Sequence, residues 1–351
     1  MTQPTSHADR QAIRKVDGIL PFQPHRLVRG GWMQTVSIKF LRPELSLETR
    51  PDADLISIPD DHTPPDELSG IYFPTQSAAE PKPLVVLLHG MGGNALSGYM
   101  RSAAEAFNRE GYDALLWNHR GAGRSGRSCR HLHHPGYTDD IHRLTDYLHE
   151  EQSAWVEQGM VCVAFSLGAN VLLKYLAETR DKSAFSAGIS VSAPIDMNLT
   201  SNNLRTGQNR VFDRYLLARQ KEELLRENAE LTDTERKVVA ACESVWDLDD
   251  RFTAVRFEYA GAEDFYADNS AINSMDRIAV PTLCLHADDD PVVDADVFAG
   301  VNWTGNKSLY PALSESGGHS GFFDSTGKRW HEQAAVAFLK RFDNAGDSSV
   351  D

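Results

Sequence analysis

Ser166 lies in the stretch Val161-Cys162-Val163-Ala164-Phe165-Ser166-Leu167-Gly168, where a β-branched apolar run gives way to Leu172, Leu173 and Leu176 at helical spacing. A serine on a sharp strand-to-helix turn, with small residues two before and two after it, has its hydroxyl lifted above the sheet as a nucleophile elbow requires. Three other loops carry the residue types such a serine needs. His319 stands in Ser316-Gly317-Gly318-His319-Ser320-Gly321, where it can act as a general base. Asp288, Asp289 and Asp290 precede Pro291; any of the three could orient an imidazole, and spacing alone does not separate them. His89-Gly90-Met91-Gly92-Gly93-Asn94 is glycine-rich and can aim backbone N–H groups at a substrate. Together with the amide after the nucleophile, that loop would place the N–H groups of Met91 and Leu167 around a developing oxyanion. The order serine, carboxylate, histidine is the chain order of this type of triad. The chemistry indicated is acyl transfer through a covalent intermediate on the serine.

These loops must be held by strands. Apolar runs at 84–88, 112–117, 161–165, 187–191, 282–286 and 307–310 read as buried strands. Helical periodicity at 95–109, 139–152, 167–178 and 330–342 falls between or after them, and the alternation predicts a mostly parallel sheet covered on both faces. Runs at 54–58 and 68–73, separated by a proline- and aspartate-rich turn, read as an antiparallel hairpin at one sheet edge. Between 194 and 279 the strand–helix alternation stops. The chain there reads as helix at 215–230 and as a second helix opened by a Thr232-x-x-Glu235 capping box, with Val238, Ala241, Cys242 and Val245 on its buried face. Beyond Trp246 it reads as irregular and rich in aromatic residues (Phe252, Phe257, Tyr259, Phe265, Tyr266). The expected organisation is a flexible N-terminus over 1–19, a core over 20–193 and 280–342 that begins with an apolar arm at 20–53, a helical cap or lid over 194–279, and a flexible tail over 343–351.

The 351 residues are enough for one large α/β domain or two small ones, and a net charge of -15 from 35 basic and 50 acidic residues disfavours nucleic acid and anionic membrane surfaces as partners. Cys129, Cys162, Cys242 and Cys284 show no spacing of a disulfide framework, so a reducing compartment is expected. No signal-peptide pattern or run of spanning length occurs, and the expected location is the cytoplasm. Cys129-Arg130-His131-Leu132-His133-His134 has ligand-type residues but no second ligand cluster evident in sequence, so it is read without a metal. Asn118-His119-Arg120-Gly121 reads as a turn bracing the site loops rather than a phosphate cradle. No Gly-Lys-Ser/Thr follows His89-Gly90, which argues against a phosphate-binding loop there.

Taken together, these residues resemble the α/β-hydrolase superfamily, and within it the YheT-like esterase branch. The resemblance runs from about 20 to 342 and rests on Gly31-Trp32-Met33-Gln34-Thr35, His89-Gly90-Met91-Gly92-Gly93, Asn118-His119-Arg120-Gly121, His134-Pro135-Gly136-Tyr137-Thr138-Asp139-Asp140, Phe165-Ser166-Leu167-Gly168-Ala169-Asn170, Asp289-Asp290-Pro291 and Gly317-Gly318-His319. It departs from the branch pattern at Ala164, Ala169 and Trp32, and over 59–68, without removing a reacting group. The resemblance implies an α/β-hydrolase fold with a helical cap that covers the acyl pocket and lines it with its aromatic residues. It selects Asp290, the carboxylate before the proline, as the triad acid beside Ser166 and His319. It implies hydrolysis of small-molecule or lipid esters without cofactor or metal. An acyltransferase or thioesterase would use the same triad, and a binding protein on this fold would keep the pocket without the chemistry.

Overall fold

The computed structural model describes residues 16–40, 43–77, 80–134 and 136–343. Most of the N-terminus and tail expected to be flexible therefore lies outside the described residues. In chain order the principal elements are α1 (Gly31–Ser37), β1 (Asp54–Pro59), β2 (Glu67–Phe73), β3 (Leu84–Leu88), α2 (Gly98–Arg109), β4 (Ala114–Asn118), α3 (Asp139–Glu151), β5 (Met160–Phe165), α4 (Leu167–Thr179), β6 (Phe185–Val191), α5 (Met197–Leu204), α6 (Arg210–Leu224), α7 (Asp233–Ala241), α8 (Ala262–Asn269), β7 (Thr282–Ala287), β8 (Leu309–Ser314) and α9 (Trp330–Asp343).

The eight strands form one sheet in the order β1-β2-β4-β3-β5-β6-β7-β8. β2 runs antiparallel to both β1 and β4, and from β4 to β8 every pairing is parallel. Side chains alternate across a strand, and here they divide the core in two. Leu84, Val86, Leu88, Cys162 and Ala164 point to the face covered by Ile141, Leu144 and Leu148 of α3 and Leu172, Leu173 and Leu176 of α4. Val85, Leu87, Val161, Val163 and Phe165 point to the other face, covered by Ala103, Ala104 and Phe107 of α2 and Ala334, Ala335 and Phe338 of α9. Because both faces are covered, β3 and β5 are apolar at every position, as strands buried on both sides must be.

Several boundaries differ from the sequence reading for local reasons. α2 starts at Gly98 rather than 95, because Asn94 Oδ1 accepts from Leu96 N and Ser97 Oγ from Asn94 N, folding 94–97 into a turn. The strand expected at 307–310 is Leu309–Ser314. Asn306 holds its start in a turn, and Pro311 lies inside it, tolerated because β8 is an edge strand. α6 spans Arg210–Leu224 instead of 215–230. Past it the chain crosses to the loop after β4, where Arg226 Nη2 and Asn228 Nδ2 donate to the Cys129 carbonyl and Glu230 N to that of Arg130. The Thr232–Glu235 capping box is present with both of its hydrogen bonds. The buried positions beyond it are Val239, Cys242 and Val245, whereas Ala241 is exposed and Val238 only partly covered. The stretch after Trp246 is helical over much of its length, with a π-helical turn at Asp249–Thr253 and α8 after it. Among the described residues no helix is long and apolar enough to cross a membrane.

α9 and α2 meet through a buried carboxyl. Ser102 Oγ donates to Glu332 Oε1 at 2.6 Å, and burial raises the Glu332 pKa from 4.5 to about 7. A carboxyl whose folded-state pKa lies above its unfolded one contributes stability that is complete below the unfolded value and lost as pH rises through the folded one. Glu332→Gln keeps an acceptor for Ser102 and cannot ionise. Urea denaturation at about pH 5 and about pH 8 should therefore show the variant gaining on wild type, by roughly 1–3 kcal/mol, at the higher pH.

Candidate active site

The turn between β5 and α4 places Ser166 at φ 52° and ψ −122°, a left-handed conformation that non-glycine residues seldom adopt. Ser166 N donates to the Val191 carbonyl at 2.8 Å, tying the turn to the end of β6. The backbone after β3 crosses the turn so closely that a Cβ on Gly168 would lie 2.3 Å from the His89 carbonyl oxygen, and one on Gly90 would lie 2.9 Å from Ser166 Cβ. The two glycines are what allow the approach. Ala164 is fully buried beneath the turn.

His319 Nε2 lies 2.8 Å from Ser166 Oγ, and His319 Nδ1 lies 2.8 Å from Asp290 Oδ2. The Asp290 side chain is fully enclosed, and its other oxygen accepts from Val292 N and Val293 N at 2.8 and 3.0 Å. Burial pushes its pKa upward, but the facing His319 more than offsets this and leaves it below the usual carboxylate range. An ionised Asp290 can only accept, so the imidazole donates through Nδ1 and takes the Ser166 hydroxyl through Nε2. Asp289 has a different task. Its Oδ1 accepts from Gly318 N at 2.8 Å, holding the loop that carries His319 rather than the ring. The two neighbouring carboxylates are thereby separated, one on the ring and one on the backbone.

The glycine loop is braced from within. His119 N donates to His89 Nε2 at 3.1 Å, which leaves the His89 Nδ1–H to donate to the Gly90 carbonyl at 2.8 Å. Both imidazoles are neutral in this arrangement. Burial drives the His89 pKa well below its usual value and that of His119 down to about 4. Gly90 N donates to the Tyr99 hydroxyl. Met91 and Leu167 line the cavity in front of Ser166. Leu167 opens α4, where the first-turn N–H groups have no intrahelical acceptor and the helix dipole favours negative charge. Arg120 does not face this site. It is buried and bound to Asp60, Asp66 and Asp140, so the turn after β4 is a brace, as expected.

Sequence reasoning missed how the arm works. α1 lies against the His319 loop, and Gly31 passes so close to the Asp289 carbonyl that a Cβ there would overlap it. His319 N donates to Thr35 Oγ1 at 2.8 Å, Phe323 N donates to Gln34 Oε1 at 2.7 Å, and Gln34 Nε2 donates to the Val28 and Phe323 carbonyls. Residues 31–35 stood out as a motif, but nothing in their types says which loop they touch.

In front of Ser166 is a cavity of about 400 Å³, walled by Trp32, Met197, Leu204, Phe212, Leu216 and Val292 among others. Of the five aromatics expected to line it, Tyr266 does so. Phe252 and Phe257 border a separate small cavity, and Phe265 packs against His134. The aromatic wall comes instead from Phe212 and Tyr215 of α6 and from Trp32 of the arm, whose ring sits 4.4 Å from that of Phe212.

Residues 79–313 match the family described as Hydrolase_4: Serine aminopeptidase, S33. The chain belongs to this family. It is a member of the α/β-hydrolase superfamily, in an esterase branch. The YheT protein of Escherichia coli (strain K12) is 32% identical over 251 residues, 71% of this chain and 73% of that one. The monoacylglycerol lipase of Saccharomyces cerevisiae is 29% identical over 279 residues, 77% of this chain and 61% of the lipase. The chain thus spans about three fifths of that lipase. Among solved structures, the Pyrococcus furiosus esterase Pf2001 aligns with a TM-score of 0.56 at 17% identity, covering 86% of this chain and 99% of the esterase, a likeness of fold.

The contact between Thr35 and His319 yields a test. Thr35→Val leaves the partly buried His319 N–H without its acceptor, which costs about 1 kcal/mol, whereas Thr35→Ser restores the hydroxyl. Urea midpoints should fall for the valine variant and return close to wild type for the serine variant.

Proposed function

We propose that this protein hydrolyses carboxylic esters through an acyl-enzyme on Ser166. The reading is carried by the unbroken hydrogen-bond chain from Ser166 through His319 to Asp290, opening into an apolar cavity. Ser166 Oγ attacks the ester carbonyl while His319 Nε2 takes its proton. Asp290 holds the ring by Nδ1 and stabilises the imidazolium that forms. The N–H groups of Met91 and Leu167 donate to the oxyanion, each bond worth on the order of 10²–10³ in rate. Collapse expels the alcohol, which receives the proton from His319. Water then attacks the acyl-enzyme along the same path in reverse and releases the acid.

The segment 194–279 acts as a cap over the acyl group, since α5 and α6 supply much of the cavity wall. A wall of this size and apolarity favours esters with an extended acyl chain. The names of two yeast relatives point the same way: the monoacylglycerol lipase, and a medium-chain fatty acid ethyl ester synthase/esterase 29% identical over 289 residues. The second name also contains the reverse reaction, in which an alcohol replaces water as acceptor at the same acyl-enzyme.

p-Nitrophenyl esters of increasing acyl length test the proposal. Wild type should turn over medium chains faster than acetate. Ser166→Ala and His319→Ala should each lower kcat/KM by about 10⁴-fold or more with the thermal midpoint kept. Full activity in either variant would overturn the mechanism. Phe212→Ala opens the wall beside Trp32, so the preferred chain should lengthen.

A further inference from the structure

The turn between β1 and β2 and the loop after β4 bring together a set of side chains that the hydrolase chemistry does not use. Asp60, His62, Asp66 and His131 each offer a ligand atom, and these atoms all lie within 4.8 Å of one another. His62 Nδ1 is 2.6 Å from Asp60 Oδ2, and His131 Nδ1 is 3.0 Å from Asp66 Oδ2. The two imidazoles are stacked, with ring centroids 3.5 Å apart and planes 20° apart. None of the four lines the cavity in front of Ser166.

We propose that Asp60, His62, Asp66 and His131 form a structural binding site for one divalent transition-metal ion, with zinc the best fit.

Three independent features support the assignment. The first is charge. The carboxylates of Asp60, Asp66 and Asp140 are buried around one guanidinium, that of Arg120, which bonds to all three. Buried carboxylates in excess of their cation are costly, and a divalent ion shared by Asp60 and Asp66 would bring these three carboxylates and the guanidinium to neutrality.

The second feature is the outer support of a ligand. His131 Nε2 lies 3.2 Å from Glu230 Oε2. A metal-bound imidazole usually gives its other N–H to a carboxylate, which fixes the tautomer and turns the remaining nitrogen to the metal. Glu230 is held in place for this by its own N–H, which donates to the Arg130 carbonyl. The third is donor type. Two imidazole nitrogens with two carboxylate oxygens suit zinc or its neighbours and do not suit calcium or magnesium, which take oxygen ligands. Tetrahedral zinc at its usual bond lengths sets its ligand atoms about 3.3 Å apart, so the set closes by roughly 1.5 Å at its widest. His62 can follow, because it sits exposed on a turn. In the metal-bound state each neutral ring carries its single proton on Nε2 and presents the Nδ1 lone pair to the ion.

Such an ion would act as a staple. Asp60, His62 and Asp66 belong to the β1–β2 turn, His131 to the loop after β4, and Glu230 to the segment between α6 and α7. One ion would therefore lock the sheet edge to the helical segment that walls the cavity. It goes beyond the ester chemistry, which uses no metal in this reading.

The test uses the full chain without an affinity tag, stripped with a chelator and titrated with Zn²⁺ by calorimetry, with Co²⁺ as a spectroscopic substitute. The expected result is one ion per chain, a raised thermal midpoint on adding Zn²⁺, and tetrahedral Co²⁺ absorption bands. His62→Ala, at an exposed position, should weaken binding at least 100-fold and abolish the bands. Glu230→Gln should weaken binding about 10–100-fold without changing the stoichiometry. Failure of the stripped wild type to bind Zn²⁺, or equal affinity and equal Co²⁺ spectra in wild type and His62→Ala, would overturn the proposal and leave the cluster an ion-pair network around Arg120.

Discussion

Ser166 occupies a backbone conformation that its own chemistry disfavours by roughly 1–3 kcal/mol, and surrounding backbone contacts hold it there. Its N–H is bound to the end of β6, its helix starts against the His89 carbonyl, and Gly90 passes over its Cβ. All three restraints come from strands next to or within one step of β5 in the sheet. The strand order therefore decides which loops surround the serine: the glycine loop after β3 on one side, and the ends of β6, β7 and β8 on the other. The carboxylate after β7 and the histidine after β8 then arrive in the order that lets the ring bridge them.

Around that turn, positions are fixed by buried polar groups bonded to backbone rather than by apolar packing alone. His89 and His119 secure the glycine loop, Asp289 and Thr35 secure the His319 loop, and Arg329 Nη1 and Nη2 bind Ser37 at the end of α1. Such groups are expensive when unpaired, so each closes onto one geometry. The arm is the clearest case. It adds little to the central core, yet it supplies the acceptor for the His319 N–H and one aromatic wall of the cavity.

Much of this was legible in the sequence because parallel strands buried on both faces are short apolar runs, and because the reacting side chains sit directly after them. The runs 84–88 and 161–165 fell on strands almost residue for residue, and Ser166, Asp290 and His319 meet in space. What was not legible depends on distant partners. Pro311 hid the length of β8, since nothing local says that a strand will be an edge. α6 stops at Leu224 because the following residues bind the loop after β4, a contact about a hundred positions back in the chain. The insertion's aromatics were expected in the cavity, but Phe265 of α8 is buried in the core and Phe212 of α6 is on the wall, because a residue's place on a helix face depends on what the helix packs against. The Asp60–His131 cluster joins the ligand-type run 129–134 to a distant turn that gives no such signal in sequence, and the two meet because β2 pairs with β4.

The proposal that Ser166 is the activated nucleophile is tested most directly by treating the folded protein with a fluorophosphonate and mapping the adduct by peptide mass spectrometry. The account predicts one phosphonylated site, Ser166, with loss of fluoride. It also predicts no adduct in Ser166→Ala and much slower labelling in His319→Ala. An adduct on another residue, or none on the folded wild type, would contradict it.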